Sequence, residues 1–220
     1  MAANLHPEVV AQIEALALTP GRPLVLCDAD EVLVAFMADF ELWLAGRDLE
    51  FAWGTFALTG NVRTRADRRA LDQIEVHALL ENYFAERAEH VPPVAGAAET
   101  LAELSSIAQI VVLSNVPPAH RHKRIAGLKR HGIAYPVIAN VGSKGPVVAQ
   151  LAARVGAPTA FIDDSPRHHA AVAAVAEQVL RIYYIADPRL AAIAPAAGPG
   201  THRAQDWPEI GTVIRRAFAG

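Results

Sequence analysis

The chain has 220 residues, 52% hydrophobic and 20% charged, enough to bury the core of one sizeable domain and too apolar for a disordered polypeptide. Its net charge of -3 gives no general attraction to nucleic acid or anionic lipid, and no apolar run approaches the roughly 20 residues of a membrane span. Cys27 is the only cysteine, so no intramolecular disulfide can form; with a start, MAANLHPEVVAQIEALALTP, that lacks the basic region of a secretory signal, this predicts a cytoplasmic protein.

Residues 24–27, Leu-Val-Leu-Cys, are the first of five short aliphatic runs that alternate with helical patterns, as βαβ units around a parallel sheet do. The run stops abruptly at Asp28, Asp30 and Glu31, carboxylates whose burial requires positive partners. Residues 35–94 then break the alternation. Within them, TRADRRALDQIEVHALLENYFAER reads as a long amphipathic helix, with Thr64 and Asp67 at capping-box spacing and Leu71, Ile74, Ala78 and Phe84 near one face. This interval is predicted to be a small, mostly helical cap inserted after the first strand. Trp43, Phe51, Trp53 and Phe56 are its expected core, and Arg63 and Arg65, just ahead of the long helix, are candidate substrate contacts. Residues 1–34 and 95–220 are predicted to form the core domain.

A helix over 97–106 leads to the second strand, 110–113. A helix over 118–130, stopped by Gly132, leads to the third, 136–139. The next helix, 146–155, lies between Pro146 and Gly156 and precedes the fourth strand, 160–162. Ser165 offers an N-cap to a helix running from Pro166 to about Gln178, followed by the fifth strand, 179–185. PRLAAIAPAAGPG reads as a loop, and Asp206 can cap a last helix over 208–218. The basic run HRHKR, residues 120–124, is read as a solvated helix face. His168 and His169 point in different directions on a helix and are read as surface or supporting residues, not a metal pair.

Polar residues gather where the strands stop. Asp28 and Asp30 follow the first, Ser114 and Asn115 the second, Lys144 the third, and Asp163 and Asp164 the fourth. Ligands of open α/β sheets bind beyond the carboxyl ends of the strands, so four separate runs aim their polar residues at one place.

In this order the segments LVLCDADEVL, IVVLSN, GSKG and FIDDSP resemble the four motifs of the haloacid dehalogenase (HAD) superfamily, over roughly residues 23–185. The resemblance implies an α/β fold: a Rossmann-like three-layer core with a parallel sheet, carrying a C1-type cap. It implies a Mg²⁺-dependent phosphatase that hydrolyses a small phosphorylated metabolite through an aspartyl-phosphate. Asp28 would be the nucleophile and Asp30 the general acid and base. Ser114, Asn115 and Lys144 would hold the phosphoryl group, with Ser114 and Lys144 completing the catalytic set. Asp28, the Asp30 backbone carbonyl, Asp163 and Asp164 would hold Mg²⁺, Asp164 directly or through water. The alternatives are another HAD reaction, by a phosphomutase or a dehalogenase, and a non-catalytic binding or regulatory protein; Asp30 and the Asp163-Asp164 pair argue against a dehalogenase. Glu31 departs from the pattern, standing where members usually have a glycine with its access to positive φ. Either it points away, or it meets a cationic part of the substrate.

Overall fold

A computed structural model describes residues 5–219. The chain runs through α1 (Pro7–Glu14), β1 (Leu24–Cys27), α2 (Phe36–Ala45), β2 (Leu49–Phe51), β3 (Val62–Thr64), α3 (Gln73–Arg87) and α4 (Ala97–Leu104). It continues through β4 (Gln109–Ser114), α5 (Arg121–Arg130), β5 (Val137–Ala139), α6 (Gly145–Val155), β6 (Thr159–Asp163) and α7 (Pro166–Val175). The last elements are β7 (Leu180–Tyr183), α8 (Pro188–Ile193), β8 (Thr201–Arg203) and α9 (Trp207–Phe218).

Six strands form one sheet in the order β5-β4-β1-β6-β7-β8, every neighbouring pair parallel. Side chains alternate between its faces. Val25 and Cys27 join one buried cluster with Ile110, Ile162, Leu101 and Ile210, whereas Leu24 and Leu26 join a second with Val9, Val148, Leu151 and Val172. The sheet is therefore covered on both sides, α4 and α9 packing on one face and α1, α6 and α7 on the other. This is the Rossmann-like three-layer architecture expected. The strand order reverses at β1: the chain steps outward through β4 and β5, then returns to the other side of β1 as β6. Such a switch point opens a crevice at the carboxyl end of the central strand.

The small insert between β1 and β4 holds α2, α3 and the antiparallel hairpin β2–β3. It is joined to the sheet by two chain segments lying side by side. Ala35 N–H donates to Pro92 O and Val94 N–H to Leu33 O, each at 2.9 Å. Inside the insert, Tyr83 is fully buried with its ring 5.1–5.4 Å from those of Phe36, Phe40, Trp43 and Phe84. Its hydroxyl donates to Asp39 Oδ2 at 2.9 Å, and Arg87 Nε donates to the same oxygen at 3.0 Å. This ties α2 to α3 through a satisfied buried charge.

Several sequence expectations are corrected. The long helix begins at Gln73, not near Thr64. Its cap is Asp72, whose Oδ1 accepts from Ile74 N and Glu75 N while Glu75 reaches back to Asp72 N. Thr64 and Asp67 instead bond to each other in the turn after β3. Ile74 is 81% exposed; the buried positions of α3 are Val76, Tyr83 and Phe84. Ser165 occupies the N-cap position of α7 without a side-chain cap bond. The fifth strand runs Leu180–Tyr183, not 179–185; Tyr184 and Ile185 beyond it are buried, and such burial reads like strand in sequence. α7 stops at Val175. PRLAAIAPAAGPG is not all loop: Asp187 caps α8 through Arg189 N and Leu190 N. The Asp206 cap is as expected, accepting from Glu209 N at 2.8 Å.

Candidate active site

Asp28 follows the last residue of β1, and its N–H still bonds Ile162 O at 2.9 Å, continuing the ladder into the crevice. Asp163 ends β6, Ser114 ends β4, and Lys144 is the residue before α6. The start of α6 is held close to α7: a Cβ on Gly145 would sit 2.6 Å from Ala171 O, so only glycine permits this approach. Lys144 thereby enters the crevice from the side. Its Nζ lies 2.7 Å from Asp28 Oδ1 and 2.7 Å from Asp163 Oδ2, and its side chain is 1% exposed.

Asp28, Asp163 and Asp164 each present a carboxylate oxygen within 4.8 Å of the others. Burial pushes the Asp28 carboxyl up to about 7 against the pull of Lys144, with Asp163 adding to the rise. Burial and then the Asp163 charge drive Asp164 well above the usual carboxylate range. Burial alone would lower the Lys144 ammonium, but Asp163 and Asp28 outweigh it and hold its pKa above the ordinary value. Fully ionised, the three carboxylates would carry more negative charge than one ammonium offsets. Hard oxygen donors with surplus negative charge fit a divalent cation such as Mg²⁺.

Ser114 is fully buried and its Oγ accepts from Val116 N at 3.2 Å. Asn115 is exposed and lines the cavity above the acids; its Oδ1 accepts from Asn140 Nδ2 at 2.9 Å and its Nδ2 donates to Gly142 O at 3.0 Å. Asp30 also faces the cavity. The cavity measures about 1030 Å³ and lies between the sheet's carboxyl edge and the insert.

Sequence reasoning missed the partner of Asp30. Arg124, expected on a solvated helix face, is 1% exposed and its Nη2 lies 2.5 Å from Asp30 Oδ1. Its guanidinium stands 5.8 Å from the Phe84 ring centroid. Arg124 shares the buried face of α5 with Gly127 and Leu128, at helical spacing. Of the surface and supporting positions open to His169, the structure gives the supporting one. It is fully buried beneath the site, its Nε2 2.9 Å from Asp163 O, and burial lowers its pKa. His168 Nδ1 lies 3.4 Å from Lys144 N, and burial pushes it down to about 4.

Glu31 takes the conformation that glycine was expected to supply, with φ of 59°. It is 2% exposed, and its carboxylate accepts from Met37 N at 2.6 Å and Asp187 N at 2.8 Å. It thus caps the first turn of α2 and holds the segment ahead of α8. Burial raises its pKa to about 7 despite these bonds. Glu31→Gly would relieve roughly 1–2 kcal/mol of left-handed strain but strand two buried N–H groups at about 1–3 kcal/mol each. The expected net loss is about 2 kcal/mol by urea denaturation; equal or greater stability would refute the bracing role.

Arg63 and Arg65, the speculative substrate contacts, do not line the cavity, and Arg65 Nε instead donates to Leu49 O at 3.1 Å. Of the four aromatics expected in the insert core, Trp43 and Phe51 are buried, whereas Trp53 and Phe56 are half-buried, and Phe56 faces the cavity. Phe56 sits on the β2–β3 connection, whose shape is set by the buried Asn61. Asn61 Nδ2 donates to Thr55 O at 3.1 Å and Ala57 O at 2.6 Å, and Oδ1 accepts from Gly54 N at 3.1 Å. Among the described residues, no helix is long and apolar enough to cross a membrane.

A parallel three-layer sheet with clustered aspartates at its switch point and an insert over the crevice is the architecture of the HAD fold. Solved structures agree on the fold. A haloacid dehalogenase-like hydrolase from Burkholderia xenovorans is 17% identical over 90% of this chain and 98% of its own, with a TM-score of 0.53. A haloacid dehalogenase-like family hydrolase from Xanthomonas campestris is 20% identical over 92% and 97%, with a TM-score of 0.54. An L-2-haloacid dehalogenase is 13% identical over 88% and 100%, with a TM-score of 0.56. No family model and no curated protein matches the sequence. The fold is that of the HAD superfamily, and at these identities the fold alone leaves the reaction open.

Proposed function

We propose that this protein is a Mg²⁺-dependent phosphatase that hydrolyses a small phosphate monoester through an aspartyl-phosphate. The observation that carries the reading is the Lys144 ammonium 2.7 Å from both Asp28 and Asp163 at the floor of the cavity. Residues 35–94 act in it as the cap over a core of residues 1–34 and 95–220, a division supported by the paired segments that join them.

The carboxylates of Asp28, Asp163 and Asp164 and the backbone carbonyl of Asp30 would hold Mg²⁺, which supplies charge to offset the phosphoryl oxygens. Asp28 is the nucleophile. Its Oδ1 takes the Ala29 N–H at 2.7 Å and Lys144, which orients Oδ2 for attack on phosphorus. Asp30 gives its proton to the leaving oxygen and then takes one from the water that releases phosphate. Arg124 holds its carboxylate during this cycle. Lys144 neutralises charge shared between Asp28 and the transferring group, while Asn115 N–H and the Ser114 hydroxyl, turned from Val116 N, bind phosphoryl oxygens. Asp30 separates this reading from a dehalogenase, whose halide leaving group needs no proton.

The test is release of 4-nitrophenol from its phosphate with Mg²⁺ and with EDTA. Asp28→Asn is expected to lower the rate at least about 10³-fold, the scale of losing a nucleophile. Equal rates for the variant and the wild type would end the proposal.

A further inference from the structure

We infer that the substrate is the phosphate ester of an uncharged, apolar alkyl or aryl alcohol, not a sugar phosphate or a bisphosphate. This rests on the phosphatase reading and specifies its leaving group. Charge and polarity are concentrated at one end of the cavity. Asp28, Asp30, Lys144, Asp164, Arg167 and His168 come from the strand ends and the start of α7. The far wall is built by the insert and α8, with Phe36, Met37, Phe56, Leu58, Leu80 and Ile193 facing the space. Among the described residues, the insert contributes no lysine, arginine or histidine to this lining; its polar side chains there are Thr55, Thr59 and Gln73.

A phosphoryl group placed at Asp28 directs the rest of the molecule toward that wall. A sugar would bring several hydroxyls to a surface with few partners, and each unpaired one costs roughly five- to hundredfold in affinity. A second phosphate would find no cation among the described residues of the insert that line the cavity. Among the described residues, the only free cationic side chain in the lining, Arg167, is exposed and sits three residues from Asp164, at the acidic end. An alkyl or aryl group meets mostly aliphatic and aromatic carbon, from Phe36, Met37, Phe56, Leu58, Leu80 and Ile193. The loop carrying Phe56 and Leu58 is pre-shaped by Asn61, so this wall exists before substrate arrives.

Hexyl phosphate and glucose 6-phosphate are both esters of primary alcohols, so their kcat/KM ratio reports the wall and not the chemistry. The ratio is expected to favour hexyl phosphate by at least about 100-fold. Hexane-1,6-bisphosphate, with the same six-carbon chain but a charged group at its far end, should fall well below hexyl phosphate. Leu80→Asn, on a half-buried position of α3, should cut the hexyl-to-glucose ratio about tenfold; measured in one sample, the ratio is independent of how much variant is folded. Asp28-dependent turnover with an equal or reversed ratio overturns the apolar assignment and leaves the phosphatase reading standing. No Asp28-dependent turnover of any of the three, or of 4-nitrophenyl phosphate, overturns both.

Discussion

Lys144→Met is expected to lower stability in EDTA by about 3–5 kcal/mol, the cost of breaking a buried pair by removing one partner. The side chain is 1% exposed and stands 2.7 Å from two carboxylates, one 9% and one 0% exposed, so no solvent can take its place. In a chain of this size that loss corresponds to a fall in melting temperature of about 10 °C. The sign of its pH dependence follows from the acids left behind. Without the ammonium, burial holds the folded-state pKa values of Asp28 and Asp164 further above their unfolded values than now. A carboxyl raised in this way favours the folded state at low pH, and that contribution is lost as pH rises through the folded pKa. The deficit relative to wild type should therefore be smaller at pH 5 than at pH 8. Mg²⁺ should restore part of it by binding the folded state. A variant melting within 2 °C of wild type in EDTA at pH 8 would show that the cluster does not depend on this charge.

Arg124→Met is expected to damage catalysis more than stability. Asp30 keeps a fifth of its side chain in solvent, so its carboxylate loses an ion pair without being sealed away from water. What it loses is orientation. General acid catalysis contributes about 10²–10⁴-fold, and an acid free to swing forfeits much of that for alkyl esters, whose leaving oxygen needs a proton. The expectation is a fall of about 10²-fold in kcat on hexyl phosphate and under tenfold on 4-nitrophenyl phosphate, whose leaving group departs without help. Arg124→Lys, which keeps the charge, should recover part of the loss. A merely structural role for Arg124 would lower both substrates alike, and that result would remove Arg124 from the mechanism.

Much of the sheet is legible in the residues because strands buried on both faces read as unbroken aliphatic runs. β1 and β5, and β4 and β6 between their polar ends, are of this kind, whereas β7 carries Arg181 between Leu180 and Ile182. β2, β3 and β8, of three residues each, carry half-buried residues and no such run, so they are visible only in space. The meeting of Asp28, Lys144, Asp163 and Asp164 is legible for a related reason: parallel topology sends every strand's last residue to one edge. Arg124 is different. Its partner lies 94 positions away, and a charge on a helix is by default solvated, so only the packing of α5 shows that this one is not. Glu31 is not legible from its backbone alone. One N–H partner six residues on and another 156 residues away outweigh the strain of positive φ at that position, and neither Met37 nor Asp187 marks itself in sequence as a donor in need.

The two side-by-side segments at Leu33–Ala35 and Pro92–Val94 also bear on how the chain reaches its native state. β1 must find β4 across everything from Asp28 to Ala108. Once the insert has collapsed around Tyr83 and zipped its base shut, the loop still to be closed is roughly three- to fourfold shorter, an entropic saving of about 1 kcal/mol. An order of assembly in which the guest folds before the host is thereby favoured. Mutations that loosen the aromatic cluster should then slow the refolding of the sheet, even though none of those rings touches a strand hydrogen bond.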